Sequence, residues 1–132
     1  MISKFTFILF VVCTLTPVNS HYVLELTEDT FNDALKDNIS ILIDFYATWC
    51  GHCKRFAPIY ESASISLHER NSVTVLARID AYLYHSIKVM WKISGYPTVN
   101  YYFNGTLVER YPSRRSVPAI VEYITSKEKD LI

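Results

Sequence analysis

The chain has 132 residues, with 13 Lys and Arg against 13 Asp and Glu; half of it is hydrophobic and a fifth is charged. That is enough for one domain with a real core, too apolar for a disordered chain, and too balanced in charge for a surface built to hold nucleic-acid phosphates. With 3 Gly and 5 Pro it is neither collagen-like nor low-complexity, and 3 Cys are too few for a disulfide-stapled scaffold.

The opening segment differs from the rest. Lys4 is the only charge before Glu25, and Phe5 to Leu15 is apolar apart from two Thr. Pro17 then breaks any helix, and Val18 and Ser20 are small residues where a signal peptidase reads. As a helix the apolar run spans about 16 Å, roughly half a bilayer core, so a signal peptide over residues 1–20, cut before His21, is expected rather than an anchor. Cys13 leaves with it, so Cys50 and Cys53 are the cysteines of the mature domain, 21–132. Removing Lys4 takes the 13 basic residues to 12 against 13 acidic, a net charge of −1. A secreted chain matures in an oxidising compartment, where such a pair can sit as a disulfide.

In chain order, Tyr22 to Leu26 reads as a short strand. Thr27 caps a helix carrying Phe31, Ala34 and Leu35 on one face. Ile39 to Ala47 is nearly continuous apolar sequence, the pattern of a strand covered on both sides. A long helix follows from about Cys50 to Glu69, with Phe56, Tyr60, Ala63 and Leu67 at helical spacing and Pro58 expected to kink it. Val73 to Ile79 reads as another buried strand, and Leu83, Ile87 and Met90 recur at helix spacing. Strands over Thr98 to Phe103 and Leu107 to Tyr111 are joined through Asn104-Gly105, a tight-hairpin signal. Ser116 caps a last helix with Pro118 in its first turn and Val117, Ile120, Val121 and Ile124 along its buried stripe. The order βαβαβαββα predicts an α/β domain, a mixed central sheet with helices on both faces and an antiparallel hairpin at one edge. The 10 Tyr are expected to be mainly packing residues. No helix shows a heptad seam, so a monomer is expected.

The informative segment is Trp49-Cys50-Gly51-His52-Cys53-Lys54, where a buried strand ends and a helix begins. Cys50 falls at the helix N-terminus, where free N–H groups and the helix dipole favour a thiolate. His52 adds positive charge or a hydrogen bond beside it, and Gly51 leaves the sulfur open to approach. Cys53, one turn further in, is expected to be buried and harder to ionise. One exposed nucleophile and one buried resolving thiol is what disulfide exchange requires. A zinc half-site and an inert structural disulfide are the alternatives. Zinc needs about four ligands, and His21, His68 and His85 are scattered, so no metal and no cofactor are expected.

The domain resembles a thioredoxin-fold domain of the protein disulfide isomerase family. The resemblance runs through Asp44-Phe45-Tyr46-Ala47-Thr48-Trp49-Cys50-Gly51-His52-Cys53-Lys54, Ala57-Pro58, Ala77-Arg78-Ile79-Asp80 and Gly95-Tyr96-Pro97-Thr98. It implies Cys50 as the attacking cysteine, Cys53 as the resolving one, and a redox disulfide between them. It implies Asp44 as the buried acid that handles the Cys53 proton, with Arg78 in place of the Lys that often accompanies it. Pro97 would be the cis-proline facing the disulfide, where the backbone of Tyr96 pairs with an unfolded substrate beside Trp49. Arg115 aligns with the family arginine that swings toward the resolving cysteine, although Ser113 replaces the usual Gly and Pro112 stiffens the turn; Thr48 stands where Pro is usual.

The activity so implied is thiol–disulfide oxidoreductase or isomerase action on cysteine-containing, partly folded secretory proteins, with glutathione or a thiol oxidant upstream. A potential nearer the roughly −180 mV of the isomerase than the roughly −270 mV of thioredoxin is expected, through His52. A redox-independent holdase and a thioredoxin-like reductase are the competing readings. The expected place is the endoplasmic reticulum lumen or secretory pathway, or outside the cell, since Lys129-Asp130-Leu131-Ile132 is not a Lys-Asp-Glu-Leu type signal. The sequons at Asn38 and Asn104 suit that route.

Overall fold

The computed structural model describes residues 21–132; the expected signal peptide and Cys13 lie outside them. Strands β1 (Val23–Leu26), β2 (Ser40–Tyr46), β3 (Val75–Asp80), β4 (Thr98–Phe103) and β5 (Thr106–Arg110) form one sheet in the order β1-β3-β2-β4-β5. The first three are parallel, while β4 runs antiparallel to β2 and β5 to β4. Helices α1 (Glu28–Asp37), α2 (Gly51–Glu69), α3 (His85–Met90) and α4 (Val117–Lys129) connect and cover them. This is the α/β architecture the alternation predicts.

β2 is central and buried, so its alternation divides the core. Ile41, Ile43 and Phe45 join Phe31, Ala34 and Leu35 of α1 and Ile87 of α3 on one face. Leu42 joins Phe56, Tyr60, Ala63 and Leu67 of α2 and Ile120, Val121 and Ile124 of α4 on the other. Asp44 follows Leu42 by two residues and therefore points to the α2 side. Tyr60 ties that side together, its buried hydroxyl lying 2.8 Å from the Leu42 carbonyl and 3.0 Å from that of Ala77.

The Ser116 side chain accepts the N–H of Ala119 to cap α4, and Thr27 and Thr30 form a capping box on α1. Asn104 (φ 50°) and Gly105 (φ 78°) are both left-handed, as a two-residue hairpin with the right twist demands. α2 runs through Pro58, which faces solvent, where water can reach the carbonyl the proline leaves unbonded.

Several edges depart from expectation. Ile39 and Val73 are exposed and precede their strands, because each is still in the turn leaving a helix. Leu83 precedes α3 in a turn whose N–H groups, with that of Tyr82, are held by the Asp80 carboxylate, so Ile87 alone of the expected stripe is buried. In β5, Leu107 and Val108 are both exposed, as an edge strand allows.

Candidate functional site

β2 ends at Tyr46, and Ala47, Thr48 and Trp49 carry the chain to the start of α2. Cys50 is the N-cap, with extended backbone (φ −77°, ψ 116°). Its Sγ accepts the N–H of Cys53 at 3.2 Å, the bond a capping oxygen usually takes. The Cys53 amide and the N-terminal end of α2 thus both point at this sulfur. The Cys50 thiol also faces the Tyr96 carbonyl at 3.5 Å, and the Tyr96–Pro97 peptide bond is cis. Both cysteines are free thiols.

Cys50 is not the open sulfur expected. It is 6% exposed, packed with Ala47 and Cys53 under Tyr46 and Tyr96. Turning the side chain back over its own helix to take the Cys53 amide carries it beneath the Tyr96–Pro97 segment. Nor is His52 beside it in a hydrogen bond: its Nδ1 accepts from Arg55 Nη2 at 3.0 Å, three residues along the exposed face of α2. A Cβ on Gly51 would meet only Arg55 Nη1, at an ordinary 3.5 Å, so packing within the chain does not demand glycine there.

Cys53 is buried, and burial together with the adjacent Cys50 sulfur pushes its thiol up to about 12. Below it lies a cavity of about 220 Å³, lined by Asp44, Tyr46, Ala47, Thr48, Cys53, Lys54, Ala57 and Arg78. Asp44 is buried, and its Oδ1 has no hydrogen-bond partner. Burial raises its carboxyl from 3.8 to about 7, against the pull of Arg78 and, more weakly, Arg115.

Arg78 does not pair directly with Asp44. Its Nε lies 2.7 Å from Glu25 Oε2, off the line of a hydrogen bond, and its guanidinium sits 4.3 Å over the Tyr46 ring. The Tyr46 hydroxyl donates to Glu25 Oε1 at 2.5 Å. Arg115 reaches the rear of the site, with Nη2 3.5 Å from the Pro97 carbonyl and Cζ 6.0 Å from the Phe56 ring.

At the mouth, Trp49 is 59% exposed and meets Tyr82 and Tyr96 edge-on, with centroids 5.5 and 5.8 Å away. Tyr82 is equally exposed, and Leu83 beside it more so. Sequence patterning gives no role to Tyr82 or to Glu25. Tyr82 sits in a turn without periodicity, and Glu25 is one polar residue on a short edge strand. Asp80, one residue before the turn, could have flagged it as an Asx-type cap.

Sheet order and dithiol placement together belong to one class of domain, the thioredoxins. The family profile described as Thioredoxin matches residues 22–126, and the chain is a member of that family. It is similar to rice protein disulfide isomerase-like 2-1, 38% identical over 80% of this chain and 29% of that protein. Drosophila melanogaster protein disulfide-isomerase is likewise 38% identical, over 80% of this chain and 21% of its own length. The first thioredoxin domain of mouse protein disulfide-isomerase A4 superposes with a TM-score of 0.73 at 33% identity, covering 81% of this chain and 76% of that domain. The chain thus spans less than a third of the length of these curated relatives.

Proposed function

We propose that the protein is a thiol–disulfide oxidoreductase of the protein disulfide isomerase kind, working on cysteines of unfolded or partly folded secretory proteins. The observation that carries this reading is the stacking of three groups: Cys50 capping α2, Cys53 one turn below it, and Asp44 across the same cavity. In the reducing direction the Cys50 thiolate attacks a substrate disulfide. A Cys50–substrate disulfide forms and one substrate sulfur leaves as thiolate. The Cys53 sulfur then attacks Cys50 Sγ, its proton passing to the Asp44 carboxylate through the cavity, and the second substrate sulfur leaves. The oxidising direction is the reverse; reduced glutathione restores the dithiol after the first, and oxidised glutathione or another thiol oxidant restores the disulfide after the second.

A sulfur 6% exposed suffices, because displacement at sulfur needs one open line of approach. An extended substrate segment laid beside Tyr96 would replace the Cys50 thiol at the Tyr96 carbonyl, and Trp49 and Tyr82 would cover its apolar side chains. That exposed aromatic rim also favours a second reading, a redox-independent holdase. Refolding of scrambled ribonuclease beside insulin reduction separates the two. Wild type is expected to catalyse both, and Cys50→Ser/Cys53→Ser neither. Suppression of aggregation that survives the double substitution, without catalysis by wild type, would favour the holdase.

The relatives, the leader expected over residues 1–20 and the sequons support a place in the endoplasmic reticulum or secretory pathway. The two sequons are unequal in the fold. Asn38 Nδ2 donates to the Ala34 carbonyl at 2.9 Å, and the Ser40 hydroxyl is buried 2.8 Å from Thr74 Oγ1 and 2.9 Å from the Tyr101 hydroxyl. Asn104 and Thr106 are exposed at the β4–β5 tip, the end of β4 away from Pro97. A glycan at Asn104 would therefore leave the dithiol clear. In a secreting cell the glycosidase-sensitive mass is expected to disappear with Asn104→Gln and to persist with Asn38→Gln; the opposite pattern would assign it to Asn38.

A further inference from the structure

Arg78 is flanked in register by two acids. It is the Cα partner of Glu25 on β1 and of Asp44 on β2, so all three stand in one row across neighbouring strands. A guanidinium so placed can pair with either carboxylate. It goes to Glu25, held by the 2.7 Å ion pair and by the Tyr46 ring 4.3 Å beneath it. Tyr46 in turn fixes Glu25 through its hydroxyl. Asp44, on the other side of the same cation, is left with an unpartnered buried oxygen.

We propose that Glu25 is a positioning residue for the reaction: with Tyr46 it holds the Arg78 guanidinium on the β1 side and keeps it out of a direct pair with Asp44. This rests on the reading of Asp44 as acceptor of the Cys53 proton. A carboxylate gripped by arginine is a weak base, because the ion pair is lost when the proton arrives. A carboxylate facing an open cavity keeps its affinity for the proton that Cys53 gives up as its sulfur bonds to Cys50 and the substrate sulfur leaves. The charged and titratable groups around Asp44 are Arg78 from β3, Glu25 from β1, Tyr46 on its own strand, Cys53, Lys54 and Tyr60 from α2, and Arg115 from the segment before α4, while β4 sets the apolar Val99 opposite it. Of these Arg78 is the strongest charge acting on Asp44 and the one whose position another side chain sets.

The Glu25 side chain is 53% exposed, so replacing it does not put folding at stake. The Asp44 carboxyl is followed by carbon-13 NMR across pH in the reduced protein, alongside the pH profile of insulin reduction. Glu25→Gln is expected to lower the Asp44 midpoint by about 1 pH unit or more, the effect of an arginine moving into contact, and to move the kinetic profile with it. Tyr46→Phe, which keeps the ring and removes only the hydroxyl, is expected to shift it the same way by less. In an Arg78→Met background Glu25→Gln is expected to lower the midpoint only by the smaller direct effect of losing the Glu25 charge. A midpoint unmoved by Glu25→Gln, or moved equally with and without Arg78, would overturn the proposal. If Asp44→Asn leaves the pH profile of turnover unchanged, the reading of Asp44 as proton acceptor fails instead, while the NMR comparison still decides what Glu25 does to Arg78.

Discussion

Asp44→Asn is expected to make the protein more stable above neutral pH and slower as a catalyst. In the folded chain the Asp44 carboxyl keeps its proton up to about pH 7, whereas an unfolded aspartate releases it near 3.8. Between those values the folded state binds more protons than the unfolded one, so stability falls as pH rises through the window. Below about 3.8 both states hold the proton and nothing is lost; above about 7 the whole cost of a buried carboxylate remains. The gap corresponds to about 4 kcal/mol as an upper figure. Asparagine fills the same space without the charge, and the cavity leaves room for water at its amide. A gain of about 2 kcal/mol or more at pH 8, on the order of 10 °C in melting temperature, is expected, vanishing by pH 4. Equal melting temperatures for both proteins at pH 8 would mean that Asp44 is solvated or paired. The same substitution removes the group that takes the Cys53 proton, and a loss of about 10²-fold or more in the resolving step is expected.

The second large effect is the silence of Cys53 toward alkylation. Its thiol is raised from 9.0 to about 12, so at a given pH the thiolate fraction is about 10³-fold smaller than for an ordinary cysteine. Iodoacetamide at pH 7.5 is expected to label Cys50 in the native reduced protein and to reach Cys53 more slowly by about 10²-fold or more, the difference disappearing in guanidinium. Peptide mapping by mass spectrometry checks this. Comparable native labelling of the two would remove the division of labour between them.

The fold was legible in the chain because its signals were local and mutually consistent. The apolar run of β2, the Thr27 and Ser116 caps and the Asn104-Gly105 turn each declare one element, and their order fixes the sheet. The dithiol was legible for the same reason: two cysteines a turn apart at a strand-to-helix junction are a local pattern. The contacts that tune it were not. That Cys50 sits beneath Tyr96 depends on two segments 46 residues apart. That His52 turns to Arg55 is a choice between neighbours that sequence leaves open. The preference of Arg78 for Glu25 over Asp44 depends on sheet order, since β3 lies between β1 and β2 and offers its arginine to both. Tyr82 joins the aromatic rim because Asp80 folds the end of β3 into a tight turn beneath Trp49.

Division of the reaction between a capping sulfur and a buried one is tested most directly by trapping the intermediate. Reduced Cys53→Ala is mixed with a disulfide-containing peptide at neutral pH, quenched with acid and mapped by mass spectrometry, beside Cys50→Ala and wild type. A persistent peptide adduct on Cys50 is expected in Cys53→Ala, none in Cys50→Ala, and in wild type a Cys50–Cys53 disulfide with the peptide released. An adduct carried by Cys53, or no adduct on either variant, would contradict the assignment.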